Sequence, residues 1–251
     1  MMRALVKRGL VAVLLLGLSG ALLAATGSTE VRTGIVLTDA RGAVETSTDS
    51  VKWAKAAKSA ELKVGWHVRT GAASAAVINY ADGSKVTLGE RTQIQLAKAD
   101  GANTGWNLVV GKIRALVKPI VQGGSHTVET HNAVVGVKGT DFVVWAPLMS
   151  MTIVLDLDGQ VVPTCKKSRE QTDLTPGNGA MCNFDGALDI FQIRDIDTAT
   201  LVEGYGGGAL SWSNWGDLLD TLASGIGDSK LTAAESTMLG KASLAVDIVI
   251  R

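Results

Sequence analysis

Acidic residues that could act as a general acid and base, or hold a hard cation, fall in three close pairs: Asp156 with Asp158, Asp185 with Asp189, and Asp195 with Asp197. Asp158-Gly159 also reads as a turn, and Asp195 and Asp197 as the wet side of a strand; the calcium-loop pattern with its terminal Glu is missing. His126 and His131 are five apart, an odd spacing that puts them on opposite faces of a flat strand and argues against joint metal binding; the third histidine is His67. The Gly-x-Ser-x-Gly elbow, the Ser-x-x-Lys motif and the His-Glu-x-x-His zinc signature do not occur. The expectation is a protein without catalytic residues, metal or cofactor. A secreted hydrolase acting on polysaccharide or peptidoglycan through an unrecognised carboxylate site, Asp156 and Asp158, is the competing reading.

Cys165 and Cys182 are the only cysteines and share one polar stretch. In an oxidising compartment they pair, closing a loop that stabilises by roughly 3 kcal/mol; two free thiols are the other reading, and no His or further Cys completes a zinc set. Trp212 and Trp215 stand at helical spacing with Leu219 and Leu222. They read either as a partner-docking or carbohydrate-stacking surface, or as the apolar face by which a helix packs onto a sheet.

These groups need elements to position them, and the chain has the apolar content to build them. It has 251 residues, 46% hydrophobic and 19% charged, with 24 basic and 24 acidic side chains. Such a composition can fold around a core, and its neutral balance gives no electrostatic basis for a nucleic-acid partner. Arg3, Lys7 and Arg8 precede an apolar run from Leu10 to Leu18 and then small residues at Ala24 and Ala25. This is a signal-peptide pattern over residues 1–25, with an uncleaved anchor as the alternative. Its removal leaves a formal charge of −3 and no later transmembrane segment. The reading places the protein in the periplasm or outside a bacterial cell.

From Val31 to Val162, short runs rich in Val, Ile and Thr are punctuated by Gly and Asp about every ten residues, the pattern of antiparallel strands. Asp82-Gly83 between 75–80 and 85–88 predicts a hairpin with a two-residue turn. Arg41-Gly42, Val110-Gly111 and Asp158-Gly159 read as similar punctuation. The continuous runs 108–110 and 134–137 read as strands covered on both sides. The predicted fold is mainly β, an antiparallel sandwich or roll with a small helical C-terminal region. The predicted divisions are the signal peptide (1–25), an all-β domain (26–163), a Cys-containing loop and strand extension (164–208), and a helical region (209–251). In the last, one helix spans about 213–224 and a second starts at the capping box Thr232 to Glu235; residues 244–250 form a last strand or a continued helix.

Four segments in order carry a resemblance: Gly65-Trp-His-Val-Arg-Thr70-Gly71, Ala76-Val-Ile-Asn-Tyr-Ala-Asp-Gly83-Ser, Gly111-Lys-Ile-Arg-Ala-Leu-Val, and Val137-Lys-Gly139-Thr140-Asp-Phe142. Their order and spacing over residues 65–162 resemble the FecR domain. The resemblance implies an all-β periplasmic domain without catalytic residues. In the best-known architecture of that family, the domain relays a signal from an outer-membrane receptor to a cytoplasmic sigma-factor regulator. The leader pattern here stands where that architecture has a cytoplasmic segment and a membrane-spanning helix. The expectation is therefore a stand-alone module that binds an envelope partner, protein or glycan. Its partner-binding candidates are Lys138, Gly139, Thr140, Asp141, Trp212 and Trp215. A folding role for the Gly-Thr-Asp-Phe piece is the simpler reading, because Gly139 permits close approach, Thr140 and Asp141 can bond neighbouring backbone, and Phe142 supplies a core anchor.

Overall fold

The computed structural model describes residues 34–100, 103–119, 124–148 and 151–192. The leader pattern, the predicted C-terminal helices, Trp212 and Trp215 lie outside these. Every regular element among the described residues is a strand: β1 (Ile35–Arg41), β2 (Val44–Ser47), β3 (Ala54–Lys55), β4 (Ala60–Leu62), β5 (His67–Thr70), β6 (Ala75–Asn79), β7 (Lys85–Leu88), β8 (Gln93–Ala99), β9 (Asn103–Leu116), β10 (Ser125–Glu129), β11 (Ala133–Val137), β12 (Asp141–Leu148), β13 (Met151–Asp158), β14 (Val161–Cys165), β15 (Asn178–Cys182) and β16 (Leu188–Gln192).

They form two sheets that share one long strand. The first runs β16-β15-β13-β12-β9-β7-β6-β1-β4, and the second β3-β2-β5-β8-β9-β10-β11-β14. Up to Val110, β9 pairs with β8 and β10; from Gly111 onward it pairs with β7 and β12. The β9–β10 pairing is parallel, an exception to the antiparallel expectation. Gly111 does not make the expected turn; it is where one continuous strand passes from sheet to sheet. Its φ is +94°, and a Cβ there would lie 2.4 Å from the Thr92 hydroxyl and 2.6 Å from the Arg91 carbonyl oxygen. Only glycine combines that conformation with that approach.

Three other crossings stack beside it: at Gly42 between β1 and β2, at 71–74 between β5 and β6, and at 89–92 between β7 and β8. Backbone bonds tie each to the next: Gly71 N–H donates to the Ala43 carbonyl (2.8 Å), Arg91 N–H to Gly71 (3.0 Å), and Gly89 N–H to Lys112 (2.9 Å). Hydroxyls serve the remaining amides. Ser74 Oγ accepts from Ala43 N–H (2.9 Å), Thr70 Oγ1 from Thr92 N–H (3.0 Å) and Thr92 Oγ1 from Lys112 N–H (3.0 Å). The buried corners thus satisfy the backbone groups that leaving a ladder would orphan.

Between the sheets lies one core, with Leu37, Ile78, Leu88, Ile113, Phe142 and Val144 from the first sheet and Val68, Ile94, Leu96, Trp106, Val128 and Val135 from the second. Trp106 Nε1 donates to the Tyr80 hydroxyl (2.6 Å), and its ring stacks on His126, so the indole brings no unpaired polar group inside. The far end is closed covalently, because Cys165 of β14 in the second sheet is disulfide-bonded to Cys182 of β15 in the first. Beside it, Asn132 donates to the Cys182 carbonyl (2.9 Å) and accepts from Thr152 Oγ1 (2.6 Å).

Two local readings need correction. The β6–β7 hairpin forms, but its turn has three residues between Tyr80 and Ser84, and of Asp82 and Gly83 only Gly83 has positive φ, at +86°. Asp82 instead accepts the Ser84 amide (2.8 Å), which favours the ordinary backbone region. The runs 108–110 and 134–137 are not covered on both sides: Val109 faces outward from the second sheet and is 42% exposed, and Val134 is half-buried. Burial on both sides belongs instead to β12, β13, β15 and residues 110–115 of β9.

Candidate recognition surface

Lys138, Gly139, Thr140 and Asp141 lie where β11 of the second sheet gives way to β12 of the first. Gly139 has φ +61°, and a Cβ on it would come within 2.7 Å of Pro119 Cα. Thr140 is buried, its carbonyl accepts Val117 N–H (2.8 Å), and its methyl group packs over Gly159. Asp141 receives Arg114 Nε (2.7 Å) and Arg114 Nη2 in a two-point ion pair. Phe142 is fully buried. Lys138 is the one exposed side chain of the four. This geometry knits three passages of chain into one junction, and the junction positions Lys138.

Among the described residues, the paired acids do not meet as catalytic pairs. Asp156 is fully buried, and neither carboxylate oxygen has a hydrogen-bond partner. Burial, and after it the charge of Asp158, pushes its carboxyl up to about 6. Asp158 is exposed at the turn into β14. Asp189 instead accepts from Asn183 Nδ2 (3.2 Å), Asp185 caps its own turn by accepting Ala187 N–H (2.8 Å), and Asp195 and Asp197 lie outside the described residues. His126 is buried against Trp106, while His131 is exposed in the β10–β11 turn. Among the described residues, no three His, Cys, Asp or Glu side chains gather as metal ligands.

A different group assembles on the outer face of the second sheet. Alternation on β2, β5 and β8 turns Val44, Val68, Ile94 and Leu96 into the core and Glu45, His67, Arg69, Gln93 and Gln95 outward. Glu45 is paired with Arg69 in register, and its Oε2 accepts from Arg69 Nε at 2.7 Å. The guanidinium lies 4.1 Å from the centroid of Trp53, and the His67 ring meets the same indole edge-on at 6.4 Å. Further along, Gln95 accepts from Asn107 Nδ2 (2.9 Å), continuing a row of planar polar groups.

Trp53 is held by the loop that carries it. Asp49 accepts the Val51 and Lys52 amides (2.9 and 2.8 Å) and the Ser47 hydroxyl (3.0 Å); these bonds, the Lys52 amide foremost, hold its carboxyl below the usual range. Ser50 turns with φ +60°, and Trp53 Nε1 donates to the Ser50 carbonyl (3.1 Å). Burial lowers the His67 pKa against the opposing charge of Asp49, so its imidazole is neutral at pH 7, and Nδ1 has no hydrogen-bond partner. The group offers a fixed aromatic plane, an ion pair and a neutral imidazole, and no activated nucleophile. It suits recognition. Sequence reading missed it because Trp53, Glu45 and Arg69 meet only through the β2–β5 pairing; the one local signal is Asp49-Ser50, which marks the turn before Trp53.

The family model described as FecR protein matches residues 67–162. Two crystal structures of a putative anti-sigma factor from Parabacteroides distasonis ATCC 8503 are similar over 55% of this chain, each at 18% identity and a TM-score of 0.48. The similarity spans 65% and 64% of those chains, less than two thirds of their length. No curated protein matches the sequence significantly.

Proposed function

We propose that this chain, whose residues 67–162 carry a FecR domain, is a non-catalytic recognition module of the bacterial envelope that binds a protein partner within a regulatory or signalling assembly. The observation that carries this reading is the outer face of the second sheet, where Trp53 is fixed by its loop and stacked beside the Arg69–Glu45 pair. Trp and Arg are the residue types that dominate binding energy at protein interfaces, and a side chain already ordered loses little entropy on docking. The Cys165–Cys182 disulfide supports an oxidising compartment outside the cytoplasm. The family match supports regulation rather than catalysis. Burial of Asp156 weakens the hydrolase reading, because a sealed carboxylate cannot reach a polysaccharide.

The test is capture from solubilised envelope extracts by the immobilised chain, compared with Trp53→Ala and Arg69→Ala forms of unchanged thermal stability. A polypeptide held by the parent chain and lost from both variants supports the reading. Equal capture by all three forms contradicts it, and so does capture abolished by free peptidoglycan fragments, which would mark a glycan site.

A further inference from the structure

The face of the first sheet that points away from the second is apolar and buried. Val143 and Trp145 of β12 stand in register with Leu155 and Ile153 of β13. Ile153 in turn pairs with Met181 of β15, and Phe191 of β16 packs over Gly179, where an added Cβ would lie 2.4 Å from its ring. None of these six side chains is more than 9% exposed. Their neighbours Phe142, Val144, Val154 and Ala180 point the other way, into the core between the sheets. The second sheet lies on that core side, and every described strand belongs to one sheet or the other, so no described strand covers the Trp145 face.

We propose that residues 209–251 cover it, laying the stripe Trp212, Trp215, Leu219 and Leu222 against Trp145, Ile153 and Phe191. The chain is delivered to the right place: β16 is the edge strand of this sheet and ends at Gln192, next to Phe191. Gly204, Gly206, Gly207 and Gly208 then give the connection freedom to fold back. The two partners match in chemistry. Left uncovered, an apolar face of this kind would be a liability in water, and two Trp side chains each bring about 150–250 Å² to cover it. They match in charge as well. Lys112 is buried on the same face, in register with Trp145, whereas residues 209–224 contain Asp217 and Asp220 and no Lys or Arg. The C-terminal region is thus a clasp on the first sheet. This inference stands apart from the partner site, which lies on the other sheet.

Hydroxyl-radical footprinting of the full chain tests it. Trp145 and Met181 should be as protected as Trp106 in the parent protein. In a Trp215→Asp, Leu219→Asp variant their oxidation should rise by about tenfold or more while Trp106 stays protected. Rapid oxidation of Trp145 in the parent protein overturns the proposal, as does protection that persists in the folded variant. Protection that fades on dilution overturns it too, since the cover would then be a second copy. If the variant exposes Trp106 as well, a protease site placed at 204–208 decides the matter: the cleaved C-terminal fragment should co-elute with the body, and its separation under native conditions contradicts the clasp.

Discussion

Arg114 and Asp141 are bound at two points across adjoining strands, two residues apart in register, since Asp141 pairs with Leu116 and Arg114 with Val143. Arg114 is buried, so its charge depends on Asp141 in place of water. Removing one member of a buried pair leaves the other uncompensated, which costs about 3–5 kcal/mol. Asp141→Ala is expected to destabilise by that order in urea unfolding. The double replacement Arg114→Met, Asp141→Leu should recover much of the loss.

Gly111 and Gly177 provide a contrast between two left-handed glycines. Both have positive φ, +94° and +84°, but a Cβ at 111 would strike Thr92 and Arg91, whereas at 177 nothing lies within 4 Å. Gly177→Ala carries backbone strain alone, about 1 kcal/mol. Gly111→Ala must also displace Thr92 and Arg91 at the shared strand, adding an overpacking cost of about 1–3 kcal/mol, so its loss should exceed that of Gly177→Ala. Thermal melts of the two variants check the order.

The disulfide closes a span of 17 residues between the two sheets at the end away from the corner stack. The chain-entropy relation gives roughly 3 kcal/mol for a loop of this size. Cys165→Ser with Cys182→Ser should lower the denaturation midpoint accordingly, and reduction of the parent protein should reproduce the shift.

Asp156 makes stability depend on pH with a definite sign. Its folded carboxyl titrates at about 6, against 3.8 for the ordinary group, so between roughly pH 4 and 6 the native state binds more protons than the unfolded chain. Stability from this residue therefore falls as pH rises through that window, by about 3 kcal/mol in all. His67 and His126, both lowered by burial, act in the opposite direction below 6.5. The informative quantity is accordingly the difference between the parent protein and Asp156→Asn. That difference should be near zero at pH 4 and should favour the variant above pH 7.

The sequence made the all-β plan visible because its glycines punctuate strands, and Gly42, Gly83, Gly111 and Gly159 all have positive φ. It did not show what each does. Gly111 lies inside a strand whose two halves pair with different partners, a fact set by Thr92 and Arg91, which are distant in sequence. Val109 sits in an unbroken apolar run yet faces outward, so the run gave the wrong burial. The pairing of Cys165 with Cys182 was legible because no alternative partner exists in the sequence. The Trp53 group was illegible because strand register, which no local pattern states, brings Glu45 and Arg69 beside it.

The claim that this fold recognises a protein through the outer face of its second sheet is tested most directly by the affinity of a captured envelope polypeptide for the parent chain and for Trp53→Ala. A fixed Trp at the centre of a contact is worth at least about 2 kcal/mol, roughly a thirtyfold weakening. That loss should appear with no change in melting temperature. An affinity unchanged by Trp53→Ala would contradict the account and move recognition to another face of the molecule.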